Sequence, residues 1–261
     1  LYHFWRYISP LRETTSLAEI EAFPIEDVSD WATEHLSEEV GAIHAAGKVA
    51  VTWVGHMYET AWQIRGYEQF LMDLLERPAW AESLLNRLTA NNLFRAVAAA
   101  KAGVDYIRIG DDVANQNTLM FSPQVWRHFM KSRWAQVCSA ARNIKPDIQI
   151  WYHSDGNIED IIPELIEIGV TILNPVQPEC LDPEKVKKLY GSQLVIDGAI
   201  GTQTTMPWGS ADEVRRVVRQ RIETLGYDGG YIISPTHVLE PEVPIDNVLA
   251  FFEACREYGR K

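Results

Sequence analysis

Cysteine is scarce: three residues, Cys138, Cys180 and Cys255, far apart along 261. Three scattered thiols are not a disulfide framework, so a reducing cytoplasm is the expected compartment. Long apolar runs are missing as well, and none reaches the roughly 18 residues of a membrane span. No cleavable leader is visible at the start. Positive charge is in short supply, with 24 Lys and Arg against 36 Asp and Glu and a net charge of −12. Nucleic acids and anionic membranes call for a basic patch, so neither is an expected partner. Glycine-rich phosphate fingerprints and Walker motifs do not occur, which removes support for a nucleotide-binding fold. Short metal-ligand spacings such as HExxH are absent, and so is a low-complexity segment, a fixed-period repeat or a Pro/Gly linker.

What is present is a rhythm. Hydrophobic residues make up 46% of the chain, enough for a sizeable core. Short β-branched runs alternate with helical patterns: 48–54, 104–109, 148–153, 170–174, 193–199 and 229–234. Alternating strands and helices imply βαβ units and a parallel sheet. Ser122 before Pro123, Asp182 before Pro183, and Ser210 with Glu213 three residues on mark helix starts. Gly47, Gly103, Gly169 and Gly191 mark helix ends, where glycine takes a left-handed backbone. Loops entering the strands are short. Loops leaving them are long and polar: "GHMYET", "GDDVANQNT", "HSDGN", "NPVQPECL", "GAIGTQTTM" and "SPTHVLEPEVP".

Ligands of such folds bind at the carboxyl ends of strands. A ring of polar strand ends points to a TIM-type (β/α)8 barrel, taken as one domain over residues 1–261. Six strands are readable where a full barrel needs eight. With Leu1 rather than Met at the start, the expectation is that an N-terminal part is missing. An unpaired sheet edge invites association, so a homodimer is one expected way to cover the gap.

Chemistry concentrates in "YHSDGN". His153 and Asp155 lie two apart at a strand end, so their side chains point the same way. Asp155 could equally cap the following helix, a job that Asn157 can share. His237, past the last strand, completes a two-histidine, one-carboxylate set able to hold a metal: His153, Asp155, His237. Asp111 and Asp112 are adjacent carboxylates that call for a cation, donor or proton nearby, and together with His153 and His237 they are the catalytic candidates. His56 and Glu59 could line the same mouth, though an early-turn Glu at a helix start explains Glu59 as well. Cys138 and Cys255 read as core and Cys180 as a loop cysteine. Trp31, Trp53, Trp80, Trp126 and Trp134 read as core, with Trp62 and Trp151 nearer the pocket.

The set "GDDVANQ", "YHSDGN", "ILNPVQP", "IDGAIGTQ" and "SPTHVLEPEVPIDNV" resembles the uroporphyrinogen decarboxylase superfamily, from about Pro10 to the C-terminus. The resemblance implies a TIM-type barrel. It implies one of two chemistries: decarboxylation of uroporphyrinogen without cofactor, or zinc-dependent methyl transfer to or from a corrinoid protein, as in methylcobalamin:coenzyme M methyltransferases. "GDD" and "NPVQP" look closer to the methyltransferase branch. There zinc is held by a His-x-Cys pair and a later Cys; here His153 matches the His, Asp155 stands at the first Cys and His237 at the second. The resemblance thus implies zinc, a small-molecule methyl donor or acceptor, and a corrinoid carried by a partner protein, because this chain has no D-x-H-x-x-G corrinoid motif. The alternatives are a metal-free decarboxylase, for which Arg65 and Arg108 would be the pocket arginines, and a non-catalytic accessory barrel.

Overall fold

The computed structural model describes residues 8–259. The chain divides into two compact units.

The first unit takes the chain up to Asp112 together with Phe121–Ile150 and Glu167–Gly169. Its strands are β1 (Val51–Gly55) and β2 (Tyr106–Gly110), and they run parallel. Val51, Thr52 and Trp53 face Tyr106, Ile107 and Arg108, and the register then slips so that Gly55 meets Ile109. Between the strands lies the 25-residue helix Pro78–Ala102. Pro78 sits at its first turn, where the missing N–H costs nothing, and Gly103 ends it with φ +89. Leu84, Leu85, Leu88, Ala96 and Ala99 make its buried stripe, and the helix Ser132–Ile144 packs against it.

The second unit holds Val113–Met120, Trp151–Ile166 and everything from Val170 on. It contains the end of β3 (Gln149–His153), β4 (Ile172–Asn174), β5 (Val195–Ile200) and β6 (Tyr231–Pro235). Each is parallel to the next: His153 pairs with Asn174, Leu173 with Ile196, and Asp197 with Ile232. Helices Ala211–Leu225 and Ile245–Tyr258 close a core of Ile200, Met206, Val214, Val218, Ala250, Phe251 and Ala254. Fully burying one of its Val, Ile, Met or Phe side chains is worth about 1.5–3 kcal/mol.

All six expected strands form, each beginning two or three residues later than the apolar run except β3, which begins one residue later. The three helix caps also form: Ser122 accepts from Val125 N, Asp182 from Glu184 N and Lys185 N, and Ser210 from Glu213 N. Gly47, Gly103 and Gly169 adopt positive φ, but Gly191 keeps a helical φ of −62. Its reason is room, since a Cβ there would lie 2.5 Å from Lys187 O. Trp126, Trp134 and Cys138 are buried as expected, and Cys255 packs on the second unit's core. Trp31 and Trp53 are not core: they are 47% and 37% exposed. Their apolar faces are covered by cations instead, Arg95 lying 5.2 Å from the Trp31 ring and Arg108 5.5 Å from Trp53.

No helix among the described residues is long and apolar enough to cross a membrane.

Candidate functional site

In the first unit, chemistry gathers where β1 and β2 end. Asp111 is completely buried just past β2. Its Oδ1 accepts from Met57 N at 2.8 Å and Glu59 N at 3.0 Å, so it caps the helix Tyr58–Arg65 from a distant part of the chain. Oδ2 is buried with no hydrogen-bond partner among the described residues. Burial raises the Asp111 carboxyl to about 7, against the lowering pull of His56 and the backbone N–H groups. His56 Nδ1 lies 2.6 Å from Gly110 O, 2.7 Å from Glu59 Oε2 and 3.8 Å from Asp111 Oδ1. Burial disfavours a charged imidazole, but the Glu59 hydrogen bond and the charges of Asp111 and Glu59 outweigh it and lift His56 to about 9.

His56, Glu59 and Asp111 have donor atoms within 4.8 Å of one another, a spread one cation could bridge. A carbonyl oxygen only accepts, however, so the 2.6 Å contact to Gly110 O puts a hydrogen on His56 Nδ1. As arranged, the group is an imidazole with hydrogen on Nδ1, set beside the Glu59 and Asp111 carboxyl groups. Asp112, next in the chain, donates its backbone N–H to Glu59 Oε2 at 3.3 Å.

The second unit carries the His153 group. His153 ends β3 and Asn174 ends β4, directly paired. His153 Nδ1 lies 2.7 Å from Asn174 Oδ1, and His153 Nε2 lies 3.8 Å from Asp155 Oδ1. The ring is stacked on Trp151 two residues earlier, with centroids 5.6 Å apart and planes 6° from parallel. Trp151 Nε1 donates to Asp197 Oδ2 at 2.7 Å, and Ser234 Oγ donates to Asp197 Oδ1 at 2.7 Å. In the turn, Gly156 N donates to the buried Gln177 side chain at 2.7 Å, and Asn157 Oδ1 accepts from Glu159 N at 3.1 Å. Cys180 lies on this side, its Sγ 3.6 Å from Gln177 Oε1. Burial and the negative charges of Glu179 and Asp155 push its thiol above the ordinary range.

His153 and Asp155 are thus brought together. His237 follows β6, and it is outside the groups of metal-capable atoms that lie within 4.8 Å of one another. Asn174, Asp197 and Ser234 are the residues the sequence reading passed over. The signal was there for one of them: Asp197 is a carboxylate inside the apolar run "LVIDGA".

Parallel strands alternating with helices, with imidazole and carboxylate groups at the strands' carboxyl ends, define an α/β protein of the TIM type. The sequence model of the uroporphyrinogen decarboxylase (URO-D) family matches residues 14–258, and the chain belongs to that family. A uroporphyrinogen decarboxylase of Flavobacterium johnsoniae is 24% identical over 235 residues, covering 87% of this chain and 62% of that protein. One from Legionella pneumophila is 25% identical over 194 residues, covering 74% of this chain and 52% of that protein. The chain therefore spans between half and two thirds of the length of these relatives. Among solved structures, a methyltransferase from Methanosarcina mazei shares the fold with a TM-score of 0.68 at 21% identity, covering 90% of this chain and 70% of that one.

Proposed function

We propose that this protein is a metal-assisted methyltransferase, moving a methyl group between a small-molecule donor or thiol acceptor and a corrinoid carried by a separate protein. The observation that carries the reading is the His153–Asp155 pair: an imidazole nitrogen and a carboxylate oxygen 3.8 Å apart at the end of a strand. Ligand atoms about 2.1 Å from a tetrahedral ion sit roughly 3.4 Å apart, so this donor set fits a divalent ion such as zinc with a small approach. His153 and Asp155 would hold the ion, with His237 proposed as a further ligand. A bound divalent ion supplies Lewis acidity, making a thiol more acidic or a methyl donor a better leaving group. The residues' own part is positional. β3 ends at His153 with Asp155 in the turn just beyond it, and Asn174 and Trp151 fix the imidazole. The fold shared with a methyltransferase is in keeping with this reading.

Decarboxylation of a polycarboxylate is the second reading, favoured by family membership. It asks for arginines turned to the substrate. Arg65 is taken up elsewhere: it is buried, its Nε 2.6 Å from Asp73 Oδ2 and its Nη1 2.7 Å from Leu11 O. Arg108, whose guanidinium lies 5.5 Å from the Trp53 ring, is the other arginine proposed for that chemistry.

The test is spectroscopic. Methylcobalamin is incubated with the protein and a small thiol, and loss of the carbon–cobalt absorption is followed with and without a chelator. Thiol-dependent demethylation that chelation stops and zinc restores is the expected result. Release of carbon dioxide from uroporphyrinogen, unaffected by chelator, would establish the second reading instead.

A further inference from the structure

We infer that Asn174 and Asp197 form a brace that locks His153 in the tautomer with hydrogen on Nδ1 and the lone pair on Nε2. The inference deepens the metal-site reading above, since it names what orients the proposed ligand.

The assignment follows from which atoms can only accept. Asn174 Nδ2 donates to the Asp197 backbone carbonyl at 3.2 Å. A carbonyl cannot donate, so the amide is held with its NH2 toward β5 and its oxygen toward β3. Asn174 Oδ1 therefore faces His153 Nδ1 at 2.7 Å, and it too can only accept. Nδ1 must carry the hydrogen. In a neutral imidazole the lone pair then falls on Nε2, the nitrogen on the Asp155 side. Asn174 is 8% exposed, so water competes little for these bonds.

Asp197 makes the arrangement rigid. Its two carboxylate oxygens accept from Trp151 Nε1 and Ser234 Oγ, each at 2.7 Å, while its backbone oxygen holds Asn174. Trp151 in turn stacks flat against the His153 ring, so Asp197 constrains the imidazole through both its plane and its hydrogen bond. Asp197 on β5 thereby links β3 and β6 through its carboxylate and β4 through its backbone carbonyl. Metal-binding histidines characteristically give their other N–H to an oxygen acceptor, which fixes the ring and raises the basicity of the ligating nitrogen. Asn174 and Asp197 are positioning residues: they act through His153.

The experiment is a two-bond nitrogen–proton NMR correlation of the imidazole ring, recorded near pH 8.5 without metal, beside a zinc titration. In the unaltered protein His153 should show a protonated-type Nδ1 and an unprotonated-type Nε2. Asn174→Ala should lose that pattern and bind zinc about 10–100-fold more weakly. Ser234→Ala leaves Asn174 in place; it should keep the tautomer and bind zinc within about threefold of the unaltered protein. An Nε2–H tautomer in the unaltered protein overturns the inference, and so does an Asn174→Ala protein with an unchanged spectrum. Because the spectrum is read without metal, the brace stands or falls separately from the metal site. Zinc that fails to bind a protein with the expected tautomer sinks the metal reading and leaves the brace intact.

Discussion

Asn157 accepts the Glu159 N–H at 3.1 Å, so the turn after β3 has a side chain holding that N–H without calling on Asp155. Asp155 lies 3.8 Å from His153 instead. Asp155→Asn should weaken zinc binding by roughly tenfold or more while shifting the melting temperature by no more than ~2 °C. Calorimetric titration and thermal melts on the same preparation check both halves. His56 supports a prediction of another kind. Its folded value near 9 lies above the ordinary 6.5, so its charge contributes stability that is fully present below about pH 6.5 and lost as pH rises through about 9. Denaturant unfolding should show stability falling by ~1–3 kcal/mol across that window, and His56→Gln should flatten the slope. At this scale the sequence was partly legible. The His153–Asp155 pair could be expected from their spacing of two at a strand end, although β3 stops at His153 and Asp155 lies in the turn. That Asp111 caps a helix more than 50 residues earlier in the chain is a tertiary fact, which neighbouring residues do not reveal.

Gly198, within β5, has φ +123, and a Cβ on it would stand 2.1 Å from Pro175 O. That backbone contact cannot yield as a flexible side chain would. Gly198→Ala should therefore cost on the order of 3 kcal/mol or more and loosen the contact between β4 and β5, where Asn174 and Asp197 meet. Asp182→Ala, which removes only the cap of the helix Pro183–Tyr190, should cost about 1 kcal/mol with no effect on zinc affinity. Urea titrations of the two variants separate these magnitudes. Elements were the most legible level. β-branched runs located every strand among the described residues, and Ser122, Asp182 and Ser210 located helix starts, because both signals are local. Trp31 and Trp53 misled because a large apolar ring can be covered by an arginine as well as by a core, and the covering residue, Arg95 or Arg108, is remote in sequence.

For the whole molecule, the net charge of −12 and the family membership set the terms. A surface this acidic suits a protein partner or a small molecule better than a polyanion. The fold class could be read from the alternation of strands and helices and from polar loops at the strand ends. The reaction could not, because fold does not set function. The hydrogen bonds that join Asn174, Asp197 and Ser234 were hidden because these residues come from three separate strands. The central claim is that His153 is a metal ligand. Elemental analysis of the purified protein after zinc loading and dialysis, beside His153→Ala, tests it directly. The account predicts about one zinc per chain in the unaltered protein and less than about one tenth of that in the variant. Equal zinc in the two proteins, or none in either, would contradict it.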